Sequence, residues 1–403
     1  MQKNTPIAFK ENKLSKNKTR HLKPELNDFK LPMIVTKDSD YIKSLKKKLN
    51  EYQNQILDTI GMDKPLYDET KSNISDILKA INHYYNGNIP LAQQHILNIL
   101  KKYKNDRYII SILDDSPAIR GITRFISLHD ATPENNNIKE NEYSFFKARV
   151  GNGIYTKDDY LHIPFNKREI ISTQRFSLPG VPCMYFGTTS YVCWLELGKP
   201  ADNEFNVCSY QIPKETRILN LSLPQMLING MSNIEGAHHT VRSFIGIFPL
   251  IIATSYHVKD PNRIFKSEYI ISQLIMQCLD TLQIEGVAYI SKRVKNDYTN
   301  GFCCTNLAIP MKNSKQNYSN FAKYIPYTNP INLGEYKKLL ESDKNKDNET
   351  KRNKVSFCSS IKATVDYMNK QRPYDGLEFC KFDDFLINEE HKPIEKFNST
   401  NKN

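Results

Sequence analysis

Up to about residue 125 the apolar residues of this chain recur at three- and four-residue spacing, and from about residue 140 they gather instead into short β-rich runs. The first spacing is one face of an amphipathic helix; short runs bounded by turn residues are strands. At 403 residues the chain is too long for one small core, and this change of pattern marks where it is expected to divide.

Ile42, Leu45, Leu49, Tyr52 and Ile56 form the apolar face of a first helix behind Ser39, a candidate N-cap. Ile74, Ile77, Leu78 and Ile81 form that of a second, over Asn73 to Tyr85, which Gly87 ends. Leu91, Ile96, Leu97, Leu100 and Tyr103 mark a third, with Pro90 in its first turn. Residues 38–125 are therefore read as a small all-helical domain. The polar stretch Asp130 to Asn141 (DATPENNNIKEN) places a linker at 126–141. Beyond it come the β-like runs Cys183 to Phe186, Asn206 to Ile212, Arg217 to Leu221, Val287 to Ser291 and Thr305 to Ile309. Between them a helix is predicted from Ser267 to Leu282, and 142–312 reads as an α+β domain. Residues 1–37 read as a disordered basic arm, and 313–403 as a polar, partly disordered C-terminal extension.

Composition narrows the functions. With 39% hydrophobic and 25% charged residues, and no apolar run near the roughly eighteen residues of a membrane span, a membrane partner is not expected. The polar, basic start carries no apolar h-region, so no secretory signal is read and a cytoplasmic location is expected. Eight cysteines without a CxxC pair suit reduced thiols better than a disulfide or metal framework. The net charge of +12 is scattered and strongest in the tails. A nucleic-acid or protein-binding module would gather basic residues on one face with aromatics between them, and that pattern is not found. An anionic small molecule explains basic residues inside a domain equally well.

The densest segment is Gln174 to Pro200, QRFSLPGVPCMYFGTTSYVCWLELGKP. Pro179-Gly180 and Pro182 set a turn before a strand containing Tyr185. Gly187 and Thr188 make a second turn, and Ser190 is a candidate cap for a short helix that Gly198 and Pro200 end. Glu196 lies on that helix among Val192, Cys193, Trp194 and Leu195. By spacing it is either a surface carboxylate on the polar face or one that must be paired.

RFSLPGVPCMYFG followed by Glu196 resembles the core of the RES domain family, whose members read R[FWY][ST]xPGxPxLYL before a helix ending in glutamate. Leu161 to Ser177 (LHIPFNKREIISTQRFS) resembles one bacterial branch with HIPF and TQR in the same order. FFKARVG supplies Arg149, matching the family's first arginine, and Phe265 to Val294 resembles that branch's late helix and the strand ending in its serine, here Ser291. The resemblance covers less than half the chain. The smallest members lack both the helical N-terminal region and the long stretch that includes Leu221 to Tyr256.

The resemblance implies an ADP-ribosyltransferase-like mixed-sheet fold and a site that attacks NAD as substrate, with no recycled cofactor. Family members are NAD-depleting toxins paired with an Xre-type antitoxin, and some pass ADP-ribose to a protein. On that basis Glu196, Arg149, Ser291 and Tyr185 are the candidate catalytic residues, and Arg149, Arg175, Tyr185 and Tyr155 the candidate NAD-binding residues. The residue types suit the chemistry. A carboxylate stabilises the oxocarbenium-like ribose as nicotinamide leaves. Nicotinamide departs as a neutral base, so one carboxylate suffices where O-glycosidases use two. Arginine forks suit pyrophosphate oxygens. Arg175 either touches ligand or braces its turn, Tyr155 and Tyr160 are equal candidates for a second aromatic, and Arg293 and Asn306 are weaker candidates. His162 is read as a core or loop histidine. His238, His239 and His257 have no convincing metal-ligand spacing, so no metal is expected, and no GxGxxG loop supports a hydride-transfer site.

Overall fold

The computed structural model describes residues 30–54, 64–118, 125–126, 142–223, 238–295, 302–312, 314, 316–343, 355–356 and 364–394. In chain order the strands are β1 (Met33–Val35), β2 (Ile110–Ile112), β3 (Phe125–Ile126), β4 (Glu142–Val150), β5 (Cys183–Gly187), β6 (Phe205–Pro213) and β7 (Arg217–Leu221). They continue as β8 (Tyr256–Val258), β9 (Gly286–Ile290), β10 (Thr305–Pro310), β11 (Ile331–Asn332), β12 (Val355–Ser356), β13 (Thr364–Tyr367) and β14 (Lys370–Pro373). The helices are α1 (Asp38–Tyr52), α2 (Lys64–Tyr85), α3 (Ile89–Lys101), α4 (Ser190–Glu196), α5 (His238–Thr254), α6 (Ile270–Cys278), α7 (Asn320–Tyr324), α8 (Leu333–Asp343) and α9 (Glu378–Asn388).

Eight strands form one mixed sheet in the order β11-β6-β4-β5-β10-β9-β7-β2, antiparallel throughout except for the parallel pair β7 and β9. Alternation along each strand sends side chains to opposite faces. Leu219, Leu221, Val287, Tyr289 and Ala308 thus join a core with α1, α2, α3, α5 and α6. Their neighbours Ile218, Ala288, Ile290, Leu307 and Ile309 join a second core with α4, α7, α8 and α9. With both faces covered, β9 is apolar at every position rather than at alternate ones.

The helical region is not set apart from the sheet. β2 belongs to residues 38–125 yet pairs with β7 at the sheet edge, and β1, within the expected basic arm, pairs in parallel with β8. Leu31 is fully buried, so the end of the expected arm is part of the core. The buried stripes of α1, α2 and α3 have too little surface among themselves and close on α5, whose buried run from Ile245 to Ala253 is apolar nearly all round. α2 also begins nine residues before the expected Asn73, because its first buried positions include the polar Thr70 and Asn73. Asn73 is satisfied inside: its amide donates to Tyr103 Oη at 3.0 Å and to the Gly246 carbonyl of α5 at 2.9 Å, and its oxygen accepts from Lys102 Nζ at 2.6 Å. The predicted linker, apart from Ile126, and most of the basic arm lie outside the described residues, as do Lys344 to Lys354 of the C-terminal extension. The described remainder of that extension, α7 to α9 with the β13–β14 hairpin, packs into the second core. Among the described residues no helix is long and apolar enough to cross a membrane.

Candidate active site

β5 ends at Gly187, where a Cβ would lie 2.4 Å from Val192 Cγ1 and 2.9 Å from the Thr189 carbonyl oxygen. Only glycine lets α4 turn back this closely against its strand. Thr189, and not the expected Ser190, caps α4: its hydroxyl accepts from the Val192 amide at 3.1 Å and donates to the Cys303 carbonyl at 2.6 Å. Glu196 is the last residue of that two-turn helix, and the β5–turn–α4 unit delivers its carboxylate to a cavity of about 800 Å³, within the size range of small-molecule sites.

Two partners orient Glu196. Asn306 of β10 donates from Nδ2 to Oε1 at 2.7 Å, and Arg293 Nε lies 3.6 Å from Oε2. Arg293 follows β9 in a turn that Ser291 shapes. Ser291 is fully buried, its hydroxyl accepts from the Arg293 amide at 3.2 Å, and its own N–H donates to the Cys304 carbonyl at 2.8 Å. The Arg293–Glu196 pair is partly exposed, so its worth is positional more than energetic.

Among the described residues six cationic side chains line the cavity (Lys147, Arg175, Arg263, Lys266, Lys292 and Arg293), whereas Glu196 supplies the single carboxylate of the lining. Arg263 is neutralised by Asp38 and Glu268 behind it. Arg175 is buried, donates to the carbonyls of Thr254 (3.0 Å) and Tyr256, and stacks 5.1 Å from the Tyr269 ring centre. It therefore braces the segment entering β8 while facing the cavity. Lys292 donates to Ser255 Oγ at 2.8 Å, and its carbonyl meets His257 Nδ1 at 2.9 Å. Lys147 Nζ donates to the carbonyls of Tyr160 (2.8 Å) and Leu161 (3.2 Å). Burial first, and the Arg149 guanidinium second, pull its ammonium down to about 8. Such a collection of charge in a concave surface raises the local concentration of anions.

Tyr185 also faces the cavity, with Oη donating to the Phe176 carbonyl at 3.0 Å, and burial pushes its phenol up. Tyr289 and Tyr269 add two further aromatic walls. Of the sequence-derived candidates, Glu196, Tyr185, Arg175, Arg293 and Asn306 thus meet at one cavity, which His257, set aside in the sequence, also lines. Ser291 stands buried behind it. Arg149 and Tyr155 are outside its lining: Arg149 is exposed at the end of β4, donates to the Asp159 carbonyl and lies 5.5 Å from the Tyr155 ring centre. It shares a strand face with Lys147, two residues earlier. His162 is buried, its Nε2 accepting from the Ser319 amide at 3.0 Å, as a structural histidine does. Lys147, Lys292 and Tyr269 were not picked out by sequence reasoning. A lysine inside the strand SFFKARV, among core residues, was the available signal for Lys147. Among the described residues no group of three or more His, Cys, Asp or Glu side chains could hold a metal ion.

A mixed sheet covered by helices on both faces, with a cation-lined cavity around Glu196, makes this an α+β protein. No protein-family model matches the chain, and no solved structure matches it. Over 183 residues the chain is 34% identical to a Bacillus subtilis (strain 168) protein described as "Putative toxin YopC", covering 42% of this chain and 41% of that protein. The chain therefore spans about two fifths of the length of that relative.

Proposed function

We propose that this protein is a toxin-type enzyme of the RES kind, with an ADP-ribosyltransferase-like fold, that cleaves the nicotinamide–ribose bond of NAD. The observation that carries the reading is Glu196, the one carboxylate of the cavity lining among the described residues, held by Asn306 and Arg293 amid cationic side chains. The name of the Bacillus subtilis relative supports the toxin part of it, and a protein antitoxin of the Xre type would be its natural counterpart.

The chemistry follows from charge. As the neutral nicotinamide departs, positive charge grows on the ribose, and a fixed carboxylate lowers that state more than the ground state. Asn306 holds Glu196 in one rotamer, which removes reorganisation from the step. Lys147, Lys292 and the guanidinium of Arg293 offer donors to the pyrophosphate, and the Tyr185, Tyr269 and Tyr289 rings offer faces or edges to the flat ends of a dinucleotide. Water or inorganic phosphate needs only the open mouth of the cavity to act as acceptor. The test is incubation of the purified protein with NAD, following nicotinamide release and the ribose-side product by chromatography. Stoichiometric release of nicotinamide with free ADP-ribose, or its 1-phosphate, is the expected result. NAD left intact by active-folded protein, with or without phosphate, refutes the proposal.

A further inference from the structure

The outer face of α4 is covered by residues that lie beyond the whole of the expected 142–312 domain. Asp383, on α9, is fully buried, and its Oδ1 accepts from the Ser190 amide at the start of α4 at 2.9 Å. Its Oδ2 accepts from Tyr374 Oη. Tyr191 of α4 donates to the Asp366 carbonyl on β13 at 2.7 Å and packs 5.5 Å from the Phe379 ring. Trp194 packs 5.3 Å from Phe379 and 6.0 Å from Tyr367. A helix of two turns cannot hold its own position in water, so what seats α4 sets where Glu196 stands.

We propose that the C-terminal segment 364–388 is a positioning element for the reaction, with Asp383 fixing the start of α4 and thereby the placement of Glu196 at its end. This rests on the NAD-cleaving reading of the cavity and extends it to residues that touch no substrate. Two further observations support it. Among the described residues the ionisable groups facing Asp383 are Tyr374, Cys193, Cys303, Tyr336 and Asp384, none of them a cation, and burial holds its carboxyl up at about 7. A carboxyl placed in the interior with hydrogen bonds but, among the described residues, no counter-ion is a costly arrangement, and here both bonded oxygens serve the junction between α4 and the C-terminal segment. The far end of α4 is fixed independently, through Glu196 itself, by Asn306.

The test compares Asp383→Ala, Asp383→Asn and Tyr374→Phe in the full chain. Trp194 is the single tryptophan of the protein, so its emission reports the seating of α4 directly. Asp383→Ala is expected to lower kcat for NAD about tenfold or more, with KM changed less than about twofold, and to shift Trp194 emission to the red. Asp383→Asn can still accept from Ser190 and donate to Tyr374, so it should recover most of both signals. Tyr374→Phe, which removes one bond only, should fall between, and it carries the test alone if the alanine variant does not fold. Unchanged kcat in Asp383→Ala, a matched loss with Asn no better than Ala, or a red shift without loss of kcat would each overturn the proposal. If wild type leaves NAD intact, the NAD reading fails; a red shift in Asp383→Ala that Asn reverses would then still establish the seating of α4.

Discussion

Glu196 and Lys147 sit at one cavity for opposite electrostatic reasons, and each yields a measurable consequence. Glu196→Gln keeps the size of the side chain and its contact with Asn306 but removes the charge. It should lower NAD turnover about a hundredfold or more, as loss of one preorganised charged group commonly does, while NAD affinity by calorimetry stays close to wild type. Turnover equal to the parent would remove Glu196 from the chemistry. Lys147 is a cation only below about 8, since burial lowers its pKa from that of a free lysine. A base with a depressed pKa loses its proton as pH climbs through that value, so affinity for an anionic ligand should weaken between about pH 7 and 9. Lys147→Arg stays charged across the range and should flatten that slope in ADP-ribose titrations. A slope of equal steepness in the variant would show that another group carries it. Glu196 was legible in the sequence through its motif, since spacing left its exposure open. Lys292 and Tyr269 were not legible, because what makes them lining residues is the meeting of β8, β9 and α6 in space. Arg149 carried the strongest motif signal among the cations, yet its side chain is turned to the Asp159 carbonyl.

Among the elements, those whose apolar residues keep strict helical spacing were read correctly from the sequence, and those that bury polar groups were not. The late helix is the clear case: Ile270, Ile271, Leu274, Ile275, Cys278, Leu279 and Leu282 are all buried as the spacing predicts. α3 begins where Asn88 accepts from the Leu91 amide at 3.2 Å, with Pro90 in the first turn, but Leu91, expected on the inner face, is exposed and Tyr103 is buried just past the helix end. In α2 the pattern failed over the first turns because Thr70 and Asn73 are buried by hydrogen bonds and not by apolarity. Asn73 joins α2, Tyr103 and the α5 backbone, so Asn73→Ala leaves the Gly246 carbonyl and Lys102 without that partner. Its expected cost is about 1–3 kcal/mol, read as a lower midpoint in chemical denaturation. A change within about 0.5 kcal/mol, the range of an ordinary surface substitution, would show that α2 is held by its apolar face alone.

At the scale of the molecule, the change of periodicity near residue 130 suggested two units, but strand pairing is a long-range property that local spacing does not encode. β1 with β8 and β2 with β7 join segments more than a hundred residues apart, and the first core runs without interruption from Leu31 through α1–α3 to Tyr289. The helices and the sheet should accordingly unfold together. Leu45 is fully buried in α1, on the face of the sheet opposite to Trp194, which belongs with the second core. Leu45→Ala removes buried methyl groups and should cost about 2–5 kcal/mol. Because the destabilised element and the fluorophore lie on opposite faces of one sheet, the two midpoints in a urea titration, helix content by circular dichroism and Trp194 emission, form a test of cooperativity. The expectation is that both coincide in wild type and move down by the same amount in Leu45→Ala. An early loss of helix signal in the variant, with the Trp194 transition unmoved, would instead mean that α1–α3 come away from the sheet as a unit of their own, and that the shared core is too weak to couple them.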